Sequence, residues 1–293
     1  MNLKTLMRLG FYILFNLAFL VITSSVILTP AGAQGFSVSF GDLEFQARPG
    51  ETIHAEFMVS NQSDEPKTVR IYSGDWVRME GDVTKYEFST IPGEEERSLL
   101  NWMTFSPDQM VLAPDESQNV YCDVTFPDDP TLEGSYWGVI FVEEVPVVEP
   151  PLESPDNDVM QVGITTIFRY AVKIYTTFEG TDVLSAKFAD LHVTQADGGY
   201  DVAGIFENTG NVYIRPDVWL EIRDISGAVL FTQSHDPETV LPESTHVFNF
   251  SLRDLVLAPG SYLVMVIADY GGTAMTAAQA RMELVEGQAE PVN

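Results

Sequence analysis

The chain has 293 residues, with 43 acidic residues against 15 lysines and arginines, and a formal net charge of -28 at pH 7. Nucleic acid is therefore excluded as an expected partner, because binding it requires clustered basic residues that neutralise phosphates. The length exceeds that of one ordinary sandwich domain of about 100 residues and suits two. Such acidity is typical of a highly soluble protein.

The first 33 residues have the three parts of a secretory signal peptide. Lys4 and Arg8 precede an apolar run from Phe11 to Leu28, and small residues follow at Ala31 to Ala33. A retained membrane anchor is the alternative, since about 18 apolar residues can just span a bilayer. The polar second half of the run and the cleavage site favour removal. We therefore expect a periplasmic or secreted mature chain that begins near Gln34 and has no membrane span.

Cys122 is the only cysteine, so the chain cannot form an intramolecular disulfide even in an oxidising compartment. The alternation of Val120, Cys122 and Val124 predicts that all three side chains point inward. We expect a buried and inert thiol.

Apolar residues alternate with polar ones along nearly the whole chain after Gln34, which predicts strands and almost no helix. In the first half the predicted strands are Phe36 to Phe45, Thr52 to Ser60, Thr68 to Trp76, Asn119 to Phe126, Gly134 to Glu143 and Val159 to Phe178. In the second half they are Leu184 to Thr194, Tyr200 to Glu207, Asp217 to Asp224, Val229 to Ser234, Thr245 to Leu252, Gly260 to Asp269 and Ala278 to Leu284. The sequence therefore predicts an all-β chain with two immunoglobulin-like β-sandwich domains in tandem, at 34–179 and 180–285, with a C-terminal tail at 286–293.

One segment of the first domain lacks strand character. Residues 145–158 contain four prolines among acidic residues. This composition cannot offset the entropy of ordering a packed segment, and it predicts an exposed loop.

The residues from Phe105 to Pro146 resemble a known family. Gly134-Ser135-Tyr136-Trp137-Gly138-Val139-Ile140-Phe141-Val142-Glu143-Glu144-Val145-Pro146 follows a proline-led turn and a strand, and Ala171-Val172-Lys173-Ile174-Tyr175 comes later. This order is similar to that of the first domain of PapD-like periplasmic pilus chaperones. The second half looks like sandwich domains of bacterial surface proteins, on segments such as Leu257-Ala258-Pro259-Gly260-Ser261-Tyr262.

The resemblance implies a mechanism of strand donation, in which alternate apolar side chains fill the groove of an incomplete partner sandwich. It also implies that Lys173 pairs with the terminal carboxylate of the partner. The candidate partner-binding residues are Lys173, Arg169, Val162, Ile164 and Phe168. The alternative is that the apolar face of this strand packs only into its own domain.

The chain departs from the family on the first strand, where the family places an arginine beside the lysine. Asp42 to Gln46 contains no basic residue, and the nearest one, Arg48, precedes Pro49 at a turn. Carboxylate anchoring is therefore the least supported part of the resemblance.

Catalytic and metal-binding patterns are missing from the sequence. The four histidines, His54, His192, His235 and His246, do not have zinc-ligand spacing, and no nucleophile elbow or phosphate loop is present. We expect no enzyme activity, no cofactor and no metal. Two functions remain: a chaperone-like factor for exported pilus or surface subunits, and a secreted structural or adhesive module that binds a cell-surface protein.

Overall fold

The computed structural model describes residues 35–39, 41–78, 86–91, 95–146, 166–253, 255 and 257–284. The predicted signal peptide, the predicted loop beyond Pro146 and the C-terminal tail lie outside these residues. All the regular secondary structure in the described ranges is β-strand. The strands of the first half are β1 (Phe36–Val38), β2 (Asp42–Ala47), β3 (Thr52–Asn61), β4 (Lys67–Arg78), β5 (Tyr86–Ser89), β6 (Met103–Ser106), β7 (Gln109–Leu112), β8 (Ser117–Thr125), β9 (Ser135–Glu144) and β10 (Arg169–Phe178).

These ten strands form two sheets, in the orders β1-β3-β8-β6 and β2-β10-β9-β4-β5, with β7 also paired to β4. The inward residues of both sheets pack into one core that includes Phe57, Val120, Ile140 and Ile174. Cys122 belongs to this core and is fully buried, as its alternation predicts. Strand β2 runs parallel to β10, and Asp42 lies opposite Lys173.

The strands of the second half are β11 (Ala186–Ala196), β12 (Gly199–Asn208), β13 (Asp217–Arg223), β14 (Val229–Ser234), β15 (Thr245–Arg253), β16 (Gly260–Asp269) and β17 (Thr276–Leu284). They form sheets in the orders β11-β12-β15 and β14-β13-β16-β17. A second core, with Phe206, Leu220, Phe248 and Val266 at its centre, lies between these sheets. The predicted fold class of two immunoglobulin-like sandwiches in tandem is confirmed.

The structure differs from the predicted strands in three places. The predicted strand from Phe36 to Phe45 is two strands in different sheets, because the chain crosses between the sheets around Gly41. Three short strands, β5 to β7, carry too few residues for alternation to reveal them. The predicted strand Val159 to Phe178 is observed from Arg169 onward, Thr166 to Phe168 are not in a strand, and 159–165 lie outside the described residues.

A buried asparagine occupies the same kind of corner in each sandwich. The Nδ2 of Asn61 donates to the carbonyls of Glu65, Leu112 and Ala113. The Nδ2 of Asn208 donates to the carbonyls of Val212, Val240 and Leu241. Each amide thus satisfies loop carbonyls that burial would otherwise leave without a donor. The two sandwiches therefore use the same device to fix a loop against a strand end.

A third apolar cluster joins the two sandwiches. It contains Trp76, Trp137 and Tyr175 of the first sandwich and Leu241 of the second, and Tyr213 packs against it. Strand β9 is consequently buried on both faces, with Val139 and Phe141 on the junction side and Ile140 and Val142 in the first core. Strand β10 is covered in the same way only after Ala171. We call the surface that these residues bury the junction.

Candidate partner-binding site

One edge of strand β10 pairs with a neighbouring strand along nearly its whole length, whereas the other edge pairs only in part. It pairs with β9 from Arg169 to Thr177, but with β2 only from Lys173 to Phe178. The pairing with β2 is continued by one bond at its start, where the Lys173 amide donates to the Gly41 carbonyl at 2.9 Å. In the part of the chain that the structure describes, no strand pairs with the other edge of residues 169–172. Among the described strands this stretch is therefore an unpaired edge, which we call the open edge, and an edge of this kind can accept a further strand.

Large apolar side chains lie exposed beside this open edge. Ile167 is 49% exposed, Phe168 40% and Tyr170 41%, whereas Val172 and Ile174 further along are fully buried. Tyr170, Val172 and Ile174 share one face by the alternation of a strand. The residues on that face are therefore buried in the core of their own sandwich from Val172 onward, and Tyr170 is partly exposed. The ring of Tyr170 packs edge-on against the ring of Phe36, with centroids 5.1 Å apart.

The predicted site residues have different surroundings. Val162 and Ile164 lie outside the described residues. Phe168 is exposed at the start of the open edge. Arg169 points to the opposite face, where its Nη1 lies 3.8 Å from Oε2 of Glu143 and its guanidinium lies 4.8 Å from the centre of the Phe141 ring. The side chain of Arg169 is thus held by neighbours in its own sandwich.

Glu143 is the centre of the polar cluster that holds Arg169. It accepts hydrogen bonds from Arg70 and, at 2.7 Å, from the Tyr72 hydroxyl. Burial alone would raise the pKa of Glu143, but the hydrogen bonds and the charges of Arg70 and Arg169 outweigh it and lower the pKa below its usual value. Glu143 is therefore a charged structural group at neutral pH.

Lys173 belongs to the junction and not to the open face. Its neighbours on that side of β10, Ala171 and Tyr175, both pack into the junction cluster. Its Nζ lies 4.5 Å from the centre of the Trp76 ring, within the range of a cation–π contact. Lys173 also lies opposite Asp42 in the register of β10 and β2, so it stands at the point where the open edge ends.

The acidic side chains of β2 are bound by a cation that comes from the second sandwich. Arg215 Nη2 donates to Oδ2 of Asp42 at 2.7 Å, and its Nη1 contacts Oε1 of Glu44. The Tyr213 hydroxyl donates to Oε2 of Glu44 at 2.9 Å. Arg48 instead binds Glu179, away from this group. The sequence contains no local signal for Arg215, because it meets β2 only when the two sandwiches pack.

Electrostatics strengthen this contact. Burial would lower the pKa of Arg215, but its hydrogen bond and charge interaction with Glu44 outweigh burial and raise the pKa. Burial raises the pKa of Tyr213, and the adjacent Glu44 carboxylate raises it further. Arg215 is therefore cationic and Tyr213 neutral over the physiological range, as this arrangement of hydrogen bonds requires.

An open hollow of about 600 Å³ lies beside the junction, along β2 and the end of β10. Its polar lining comprises Glu44, Gln46, Thr177, Glu179, Asp182 and Tyr213, and it includes no lysine, arginine or histidine. The lining offers no basic side chain that could pair with an anion, so the hollow does not suit a carboxylate or phosphate ligand.

The described residues include no group of three or more histidine, cysteine, aspartate or glutamate side chains placed to hold a metal ion. Within the same ranges, no helix is long and apolar enough to cross a membrane.

Comparisons with known proteins give similarity at the level of structure alone. No family model matches the chain, and no curated protein matches it. Three similar solved structures are fimbrial or related chaperones, and each covers 85% of this chain. The class 5 fimbriae chaperone CfaA has 14% identity and a TM-score of 0.42, with 99% of its own chain covered.

The other two solved structures have similarly low identities and TM-scores. The CupB2 chaperone of Pseudomonas aeruginosa has 18% identity and a TM-score of 0.41, with 100% of its chain covered. The E. coli chaperone DraB has 15% identity and a TM-score of 0.40, with 98% covered. The chain resembles these chaperones. Because identities and TM-scores are this low, its function has to be inferred from its own residues.

Proposed function

We propose that this chain is an exported, non-catalytic protein-binding factor. In this proposal it acts as a periplasmic chaperone-like protein for pilus or surface subunits, and it binds them by adding the start of β10 to an incomplete partner sandwich. The observation that carries the proposal is the open edge of β10 at residues 169–172, flanked by exposed Ile167, Phe168 and Tyr170.

The edge and the apolar side chains supply different parts of the interaction. Main-chain groups at an open edge offer hydrogen bonds to an added strand of any sequence, and the alternate side chains select the partner through pockets that they fill. Phe168 and Tyr170 lie next to the same edge, and both are exposed. They are the side chains of the described residues that would enter such pockets.

The partner strand has a defined stopping point in this proposal. Strand β2 takes up pairing with β10 at Lys173, so an added strand can occupy only the four residues before it and whatever precedes them. The end of the added strand would lie close to Asp42, Lys173 and Arg215. Arg215 is already bound to two carboxylates, and Lys173 lies over the Trp76 ring. We therefore assign most of the free energy of partner binding to the main-chain edge and the apolar side chains.

Site-specific photocrosslinking in cells of the source organism tests this proposal. A benzophenone amino acid is placed at Phe168 and, as a control, at Tyr121, an exposed aromatic on β8 in the other sheet. The expected product at position 168 is an adduct with an exported subunit that lacks one strand of its sandwich. Phe168→Ala should weaken the purified complex by about 2 kcal/mol, roughly 30-fold. Equal labelling from both positions, or adducts only with unrelated proteins, would refute strand addition at β10.

A further inference from the structure

Arg169 is held in place by aromatic rings and forms few hydrogen bonds with the described residues. Its guanidinium lies 4.8 Å from the centre of the Phe141 ring and 5.9 Å from that of Phe88. Its side chain makes one long hydrogen bond to a described residue, in which Nη1 donates to the Tyr72 hydroxyl at 3.5 Å. Oε2 of Glu143 lies 3.8 Å away, beyond hydrogen-bond length. Among the described residues, most N–H donors of this guanidinium therefore have no acceptor.

Glu143 is already occupied by stronger donors. Arg70 donates to its Oε1 from Nε at 3.0 Å and from Nη2 at 2.5 Å, and the Tyr72 hydroxyl donates to its Oε2 at 2.7 Å. One carboxylate thus lies between two guanidinium groups, and these three side chains together carry one net positive charge. Arg169 has the weaker share of Glu143. Since 47% of its side chain is exposed, an incoming group can reach it.

The start of β10 is locally basic in an acidic chain. Residues 166–178 contain Arg169 and Lys173 and no aspartate or glutamate, whereas the whole chain has a net charge of -28. Arg169 and Ala171 share the face of β10 opposite to that of Tyr170, so an added strand places alternate side chains beside the guanidinium. Complementary charges at an interface fix the register and exclude wrong partners. A strand with an acidic side chain on this face therefore suits the open edge.

The position of Arg169 along the open edge selects a side-chain carboxylate over a terminal one. An added strand ends at Lys173, where β2 takes up the pairing with β10. Arg169 lies roughly 13 Å before that point, because a strand rises about 3.3 Å per residue. In the other direction the strand continues past the exposed Phe168. Arg169 thus lies beside an interior residue of the added strand, which offers only its side chain.

We propose that Arg169 selects partner strands that carry an aspartate or glutamate on the face opposite to their apolar side chains. The carboxylate accepts hydrogen bonds from the guanidinium, and stacking on Phe141 keeps the donors in place before the partner arrives. Phe168 and Tyr170 bind on the other face, so apolar and acidic residues alternate in the partner strand. This inference rests on the proposed addition of a strand to β10, and it specifies which strands are accepted.

The test uses the purified full chain and short peptides that alternate valine with threonine, acetylated and amidated so that they have no terminal charge. The central threonine is replaced by aspartate, asparagine or lysine, and fluorescence anisotropy measures each dissociation constant. The aspartate peptide should bind about 10-fold more tightly than the asparagine peptide, and the lysine peptide most weakly. The net charge of -28 by itself favours the lysine peptide, so the order of affinities separates a local site from the field of the whole chain.

Two variants locate the effect at Arg169. Arg169→Gln should reduce the difference between the aspartate and asparagine peptides to less than about twofold, and Arg169→Glu should make the lysine peptide the tightest ligand. Arg281→Glu, the same charge change at an exposed position of β17, should keep the original order of affinities. Circular dichroism verifies that each variant folds.

The outcomes separate this inference from the proposed function. Equal affinity of the unmodified chain for the aspartate and asparagine peptides, or an unchanged preference in Arg169→Gln, would overturn the inference and leave strand addition standing. Absence of binding by all three peptides would instead contradict the addition of a strand at β10, and this inference with it.

Discussion

Arg215 in the second sandwich donates from Nη2 to the Oδ2 atom of Asp42 on β2 at 2.7 Å. The same guanidinium contacts Glu44, and it lies over the rings of Tyr175 and Tyr213. The contact is reinforced nearby, where the Ser135 amide donates to the Asn211 carbonyl at 2.8 Å. The two sandwiches are therefore joined by a specific polar contact in addition to the apolar cluster.

Arg215→Ala should destabilise the chain by about 1–3 kcal/mol in urea unfolding, because it leaves Asp42 and Glu44 without their shared cation in a partly buried site. It should also expose the segment between the sandwiches to limited proteolysis. Arg48→Ala, which removes a largely exposed pair with Glu179, should have little effect on the free energy of unfolding. Equal losses in the two variants would show that Arg215 does not join the sandwiches.

Phe168→Ala should change the free energy of unfolding by less than about 1 kcal/mol, because its side chain is exposed and outside the core. Ile174→Ala on β10 should cost about 2–5 kcal/mol, because it opens a cavity in the first core. Thermal or urea unfolding of both variants measures the difference. A large stability loss for Phe168→Ala would mean that this residue packs into its own sandwich, and the pocket-filling role would be lost.

Glu143 should make stability depend on acidic pH. Its pKa is lowered in the folded state, so its contribution is complete above the usual glutamate value of about 4.3 and is lost as the pH falls through the lowered pKa. Urea unfolding between pH 6 and pH 3 should show a shallower acid loss for Glu143→Gln than for the unmodified chain. Glu56→Gln, at an exposed position on β3, serves as the control and should keep the original slope.

Cys122 should not react with a thiol reagent such as DTNB while the chain is folded. Burial raises the pKa of its thiol to about 12, and the side chain is fully buried. In denaturing urea one thiol per chain should react within minutes. Rapid labelling of the native chain at pH 8 would mean that β8 opens readily, contrary to its central place between β3 and β6.

Much of the fold could be read directly from the sequence. Strands β13, β14 and β16 lie within a residue of their predicted bounds, because long alternating segments bounded by glycine or aspartate permit few other structures. The inward direction of Cys122 followed from the same alternation. Short strands and the crossing at Gly41 could not be predicted, since neither changes the local period of apolar residues.

The candidate site was only partly determined by local sequence. Alternation predicted that Phe168 and Val172 share a face with period two, but not that one is exposed and the other buried, because this depends on where β2 begins to cover β10. The run Val139-Ile140-Phe141-Val142 did carry a signal for burial on both faces of β9.

The sequence by itself determined most of the long strands, the all-β class and the lack of a basic residue on β2, because these depend on neighbouring residues alone. Tertiary structure decided what neutralises Asp42 and Glu44, which edge of β10 stays open and that β14 lies at the rim of its sheet. Each of these depends on which distant strands and side chains meet. Arg215 and Asp42 are in different sandwiches, so only the packing of the two domains can bring them together.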